Sequence, residues 1–130
     1  MIIEDEVSFA EMVKLNLEDT GDYDVRAEYK GTDGLAAALE FNPDLVLLDI
    51  MLPDKDGFEV LEALKKDPRT KGILVVMLTA LKSDPVKFKA AMLYADDFLV
   101  KPVTLRALVE KIEEVLDRRI VERMKKEKPE

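Results

Sequence analysis

The stretch LVLLDIMLPDKDGFEV, Leu45–Val60, carries four apolar residues straight into an aspartate and then breaks on proline and glycine. A short continuous apolar run reads as a strand buried on both faces, the habit of parallel sheets. An unpaired buried carboxylate is costly. Asp49 therefore marks either the point where the strand emerges into water or a place where its charge is needed. Taken alone, it reads as a strand-end turn residue. Pro53 and Gly57 shape the loop after it, and Gly57 permits a helix to approach closely.

Outward from this stretch, apolar runs alternate with helical patterns. Met1–Ile3 is a very short apolar start. Val7–Glu18 has helical spacing, with Ala10, Val13 and Leu17 on one side, and Gly21-Asp22 ends it. Tyr23, Val25, Ala27 and Tyr29 alternate with polar residues, which predicts a half-exposed edge strand. Thr32 is expected to cap a helix running to about Phe41, which Asn42-Pro43 stops. Phe58, Leu61 and Leu64 place a third helix after Gly57, and Ile73–Leu78 is a second buried run. Ser83 or Asp84 is expected to cap a fourth helix with Pro85 in its first turn. Phe98–Val100 is a short last strand. Thr104 opens a final helix carrying Leu105, Leu108, Ile112, Val115 and Leu116. Strand and helix alternate five times, which predicts an α/β, doubly wound parallel sheet with helices on both faces. Residues 1–117 read as one domain, and residues 118–130 as a charged extension of the last helix.

Composition narrows the chemistry. The chain has 130 residues, 48% of them apolar, which suits one domain with a sizeable core. A net charge of −8 argues against nucleic-acid binding by this domain. Without cysteine there is no disulfide frame and no thiolate chemistry. Without histidine there is no Ser-His-Asp triad and no phosphohistidine carrier. No apolar run is long enough to span a membrane and no signal peptide is visible, so the expected setting is cytoplasmic, with no membrane partner.

Open α/β sheets build their sites beyond the carboxyl ends of the strands. The residues there are Glu4, Asp5 and Glu6 after the first strand, Asp49 after the third, Thr79 after the fourth, and Lys101 with Pro102 after the fifth. Carboxylates gathered on one rim repel one another, and a hard divalent cation relieves that; Mg²⁺ takes oxygen ligands and keeps several waters. Thr79 and Lys101 are suited to phosphoryl oxygens, and a carboxylate such as Asp49 can form an acyl phosphate. Residue types and placement thus predict a Mg²⁺-dependent phosphoryl-acceptor site. A dehalogenase-like phosphatase would want a second aspartate where Met51 stands. No G-x-x-x-x-G-K-[ST] or G-x-G-x-x-G loop is present, and no phosphate-cradling loop for flavin comes after the first strand.

In order and spacing, the motifs IIEDE, DLVLLDIMLPDKDGFEVLEALK, VVMLTA and DDFLVKP resemble those of bacterial response-regulator receiver domains, from Ile2 to about Leu116. The resemblance implies a flavodoxin-like five-stranded sheet of order 2-1-3-4-5 with five helices. It implies that Asp49 is both phosphoacceptor and metal ligand, that Asp5 is a direct Mg²⁺ ligand, that Glu4 acts more through water, and that the Met51 carbonyl completes the protein ligands. Thr79 and Lys101 would hold the phosphoryl group, Pro102 would follow a cis bond, and Phe98 would be the switch aromatic. A sensor histidine kinase, a phosphotransfer protein or a small phosphodonor would load Asp49. The face made by the fourth helix, fifth strand and fifth helix would then meet a downstream protein or a second copy. The alternative is a degenerate receiver acting as a phosphorylation-independent interaction module.

Three features depart from that pattern. The first strand is unusually short for a central one, which leads to the expectation that the natural chain starts earlier. Tyr94 stands where that family usually has glycine, which ends a helix in the left-handed conformation; tyrosine pays a penalty for that geometry or the helix ends differently, and Tyr94 is expected to add an aromatic beside the output face. The last helix, if continuous to Lys126, reaches roughly 34 Å and projects Ile120, Val121 and Met124 beyond the core. Met51 and Leu81 are expected to flank the site and restrict water.

Overall fold

The computed structural model describes residues 1–80 and 85–127. Along the chain run β1 (Ile2–Ile3), α1 (Val7–Asp19), β2 (Ala27–Glu28), α2 (Gly31–Phe41), β3 (Leu45–Asp49), α3 (Gly57–Lys66), β4 (Leu74–Thr79), α4 (Pro85–Met92), β5 (Asp97–Val100) and α5 (Leu105–Glu127). The five strands form one parallel sheet in the order β2-β1-β3-β4-β5. This is the α/β doubly wound, flavodoxin-like arrangement that the alternation and the resemblance imply.

Side chains alternate along a strand, so each strand feeds two cores. Ile3, Val46, Leu48, Val75 and Met77 face α2, α3 and α4, and pack on Ala37, Ala38, Val60, Leu61 and Leu64. Ile2, Leu45, Leu47, Val76 and Leu78 face α1 and α5, and pack on Ala10, Val13, Leu17, Leu108, Ile112 and Val115. The continuous apolar runs are explained by this two-sided burial. β1 is indeed short, yet it is central: Ile2 and Ile3 pair with Ala27 and Glu28 on one side and with Leu47 and Leu48 on the other.

Helix ends follow local chemistry. Asp56 caps α3 by accepting from the Phe58 amide at 2.9 Å, and Lys65 and Lys66 sit in its last turn, where cations suit the dipole. The Thr104 hydroxyl accepts from the Ala107 amide at 3.1 Å and opens α5. Asn42 ends α2 with φ 49°. Asp96 ties β4 to β5 and α3: its Oδ2 accepts from the Val75 amide at 2.8 Å and from Lys65 Nζ at 3.1 Å. Among the described residues no helix is long and apolar enough to cross a membrane.

Two expectations are corrected. The strand predicted over Tyr23–Tyr29 shrinks to Ala27–Glu28, because its only sheet partner is the two-residue β1. Thr32 does not cap α2. The cap position is Lys30, without a side-chain bond, and Asp54 reaches across from the β3–α3 loop instead. Its carboxylate accepts from the Gly31 amide at 2.7 Å, the Thr32 amide at 3.0 Å and the Thr32 hydroxyl at 2.5 Å. At Tyr94 the helix ends differently from a glycine-ended one, an outcome that the sequence left open: Asn42 is the one non-glycine residue of positive φ among those described. α4 instead ends through tight turns in which the Tyr94 and Ala95 amides both donate to the Ala91 carbonyl, at 3.0 and 2.8 Å. Tyr94 is exposed there and lines the groove between α3 and α4, with Phe58 and Leu61. Ser83, Asp84 and Leu81 lie outside the described residues.

Candidate functional site

Parallel strands end together, so the rim of the sheet gathers the residues at the carboxyl ends of β1, β3, β4 and β5. Glu4 and Asp49 are buried, at 0% and 4% exposure, while Asp5 is exposed. One carboxylate oxygen from each of Glu4, Asp5 and Asp49 lies within 4.8 Å of the others. Glu6, which follows them in the sequence, is exposed at the N-cap of α1 and stands outside the cluster. Lys101 reaches in from the end of β5. Its Nζ donates to Glu4 Oε1 at 2.7 Å and stands 3.4 Å from Asp49 Oδ2.

The electrostatics are those of crowded acids around one cation. Burial, reinforced by the neighbouring Asp49 carboxylate, pushes the Glu4 carboxyl above the usual carboxylate range despite Lys101. Burial works against the charge of Lys101, but the hydrogen bond to Glu4 and the nearby Asp49 outweigh it and raise its pKa. Glu4 Oε2 is a buried side-chain oxygen with no hydrogen-bond partner among the described residues. An all-oxygen cluster with an orphaned carboxylate oxygen fits a hard divalent cation such as Mg²⁺.

Asp49 is also oriented by its own loop. The Met51 amide donates to Asp49 Oδ1 at 3.3 Å, and Met51 pairs in an isolated antiparallel bridge with Asp56. The Met51 side chain itself is exposed. Gly57 backs this turn: its amide donates to the Ile50 carbonyl at 2.8 Å. A Cβ there would clash with the Asp49 carbonyl oxygen and Ile50 Cα, so only glycine fits without a backbone shift. Thr79, 2% exposed, ends β4 one strand over; its hydroxyl donates to the Ala80 carbonyl at 2.9 Å, and its carbonyl accepts from the Lys101 amide at 2.7 Å. The Lys101–Pro102 peptide is cis. Phe98 is half-buried on β5, edge-on to Phe88 of α4 with ring centroids 5.6 Å apart.

The fold thus brings Glu4, Asp5, Asp49, Thr79 and Lys101 to one rim. Phe98 belongs to the neighbouring α4–β5 contact. Sequence reasoning missed Phe9, whose ring centre lies 5.8 Å from Lys101 Nζ in cation–π range. Its signal was available: Phe9 lies four residues before Val13, on the sheet-facing row of α1. It also missed Asp54 and Asp96, whose partners are distant in sequence.

Comparison with known proteins agrees with this architecture. Residues 1–113 match the family described as the response regulator receiver domain. The DNA-binding dual master transcriptional regulator RpaA of Synechocystis is 40% identical over 118 residues, covering 91% of this chain and 48% of that protein. The chain therefore spans about half the length of that curated relative. Among solved structures, a CheY-like receiver domain protein from Methanospirillum hungatei superposes with a TM-score of 0.84 at 32% identity, covering 93% of this chain and 94% of the other. The receiver domain of a signal transduction histidine kinase from Syntrophus aciditrophicus gives 0.77 at 32% identity, covering 89% and 87%. These likenesses define a phosphorylation-based signalling switch of the two-component type. The chain belongs to the response regulator receiver domain family.

Proposed function

We propose that Asp49 accepts a phosphoryl group from a sensor histidine kinase, a phosphotransfer protein or a small acyl phosphate. The observation that carries this reading is the buried Asp49 carboxylate, 3.4 Å from the Lys101 ammonium and clustered with Glu4 and Asp5. An Asp49 oxygen attacks phosphorus, an O–P bond forms, and the donor's N–P or acyl O–P bond breaks with its electron pair leaving on the donor. Mg²⁺, held by Asp5, Asp49 and the Met51 carbonyl with Glu4 acting through water, would neutralise charge on the phosphoryl oxygens. Lys101 exchanges part of its pairing with Glu4 for a phosphoryl oxygen, a charge-assisted bond. The Thr79 hydroxyl turns from the Ala80 carbonyl to a second oxygen. That movement makes room for Phe98 to turn inward, away from Phe88, and the α4–β5–α5 face changes its preference for a downstream protein.

A two-state switch driven from about 1% to 99% active needs roughly 5.5 kcal/mol of differential binding. New charge-assisted bonds from Lys101 and Thr79 are the source on the protein side. The reading places the domain in the cytoplasm, contacting proteins and neither nucleic acid nor membrane directly.

Incubation with acetyl phosphate, with and without Mg²⁺, followed by intact mass measurement, tests this. The expected result is a Mg²⁺-dependent, alkali-labile phosphoryl adduct on the parent protein and none on Asp49→Asn. An adduct that persists in Asp49→Asn, or no adduct from acetyl phosphate and none from any histidine kinase tried, would refute the assignment.

A further inference from the structure

α5 does not stop where the domain stops. Its last buried residue is Val115, yet the helix runs on to Glu127. Beyond the core it exposes Ile120 at 54%, Val121 at 48% and Met124 at 64%. Residues three and four apart share a helix face, so Asp117, Ile120, Val121 and Met124 form one stripe with Lys125 on its flank. The stripe borders a shallow groove lined by Glu113, Glu114, Asp117, Val121, Glu122 and Lys125.

The charges along this stripe are ordered. From residue 110 to 117 stand Glu110, Glu113, Glu114 and Asp117 against Lys111 alone; from residue 118 to 126 stand Arg118, Arg119, Arg123, Lys125 and Lys126 against Glu122 alone, in a chain of net charge −8. Val121 lies midway: Asp117 is four residues before it and Lys125 four after, about 6 Å on either side. A two-fold axis through Val121 therefore sets Asp117 of one copy opposite Lys125 of the other, twice. The same axis sets Met124 opposite Arg118, whose guanidinium is turned aside to Asp97 and Glu114, leaving its methylene stem to be covered. A parallel pairing would oppose Asp117 to Asp117 and Lys125 to Lys125. Neither Asp117 nor Lys125 has an ion-pair partner in its own chain among the described residues.

We propose that the projecting half of α5 is a homotypic docking surface, pairing antiparallel with the same helix of a second copy about an axis at Val121. The occupant is a second copy because the charge order is self-complementary only in that arrangement. The contact buries few residues, so it is a weak, salt-sensitive association. It does not use Asp49 and stands or falls separately from the phosphorylation site.

Sedimentation equilibrium of the whole chain across a concentration series is the primary measurement, with Asp117→Lys, Lys125→Asp and the double reversal alongside. All these side chains are exposed, so the variants fold. Each single reversal turns two attractive pairs into two repulsive ones and is expected to weaken dimerisation by about tenfold or more, with the double reversal restoring it. The chain has no cysteine, so introduced thiols report geometry cleanly. Val121→Cys is expected to form an intermolecular disulfide. Asp117→Cys is expected to cross-link to Lys125→Cys when the two are mixed, but not to itself. A monomer at every concentration overturns the proposal. So does a dimer indifferent to both reversals, or one in which Asp117→Cys links to itself.

Discussion

Asp5 is exposed where Glu4 and Asp49 are buried, so the three carboxylates of one cluster answer differently to substitution. Asp5→Asn removes a charge from water and is expected to change metal-free stability by less than about 0.5 kcal/mol. On the proposed assignment it also removes a direct Mg²⁺ ligand. In the parent, Mg²⁺ at a hundred times its dissociation constant is expected to add about 2.7 kcal/mol to the unfolding free energy. In Asp5→Asn most of that gain should vanish, as read from thermal melts over a Mg²⁺ titration; an undiminished gain would move the metal elsewhere. The identity of these residues was legible in the sequence, because strand-end positions in a parallel sheet converge by topology. Their present partners were not. That Lys101 holds Glu4 more closely than Asp49, and stands over Phe9, depends on side-chain directions that spacing does not specify.

Among the elements, the β3–α3 turn and the start of α2 carry the most specific constraints. Gly57→Ala forces a Cβ against the backbone of Asp49 and Ile50, and overpacking of this kind costs roughly 1–3 kcal/mol. Urea denaturation should show that loss, together with weaker Mg²⁺ stabilisation, since the displaced strand end carries Asp49. Asp54 caps α2 from outside it, and bonds from the Thr32 hydroxyl and amide and the Gly31 amide hold its carboxyl well below the usual 3.8. A depressed folded-state pKa contributes stability that is present above the ordinary value and is lost as pH falls through the folded one. Asp54→Asn should therefore melt below the parent at pH 7, with the gap narrowing from about pH 4 downward. A gap independent of pH would show that the carboxylate charge is not what anchors α2. The sequence pointed to Thr32 as the cap because local patterns see only nearby donors, whereas Asp54 is 22 residues away.

For the molecule as a whole, α5 joins two regimes in one helix. Leu108, Ile112 and Val115 belong to the core with Val109 and Leu116 packed against it, Arg118 and Lys111 clamp Asp97 of β5, and residues 120–126 are exposed. A chain ending after Arg119 keeps every buried α5 residue and the Arg118–Asp97 pair. It is expected to unfold cooperatively with a loss of no more than about 1 kcal/mol, the scale of the surface contacts removed. Calorimetry would reveal a larger loss, which would mean that the extension folds back on the domain in solution.

What the amino-acid order determined by itself is the layout. Buried runs of period-free apolar residues, helical stripes of Ala10, Val13 and Leu17 or of Leu108, Ile112 and Val115, and breaks at Gly21, Asn42 and Gly57 require alternating strands and helices. A parallel sheet then puts Glu4, Asp49, Thr79 and Lys101 on one rim. These are signals of local periodicity and of topology, which a single chain carries in full. What only the tertiary structure decided is every pairing between segments far apart in sequence: Asp54 on α2, Asp96 between β4 and α3, Phe9 beneath Lys101, and Tyr94 in the α3–α4 groove. It also decided how long β2 is, because a strand extends only as far as its neighbour offers hydrogen bonds, and the two residues of β1 end that offer at Glu28.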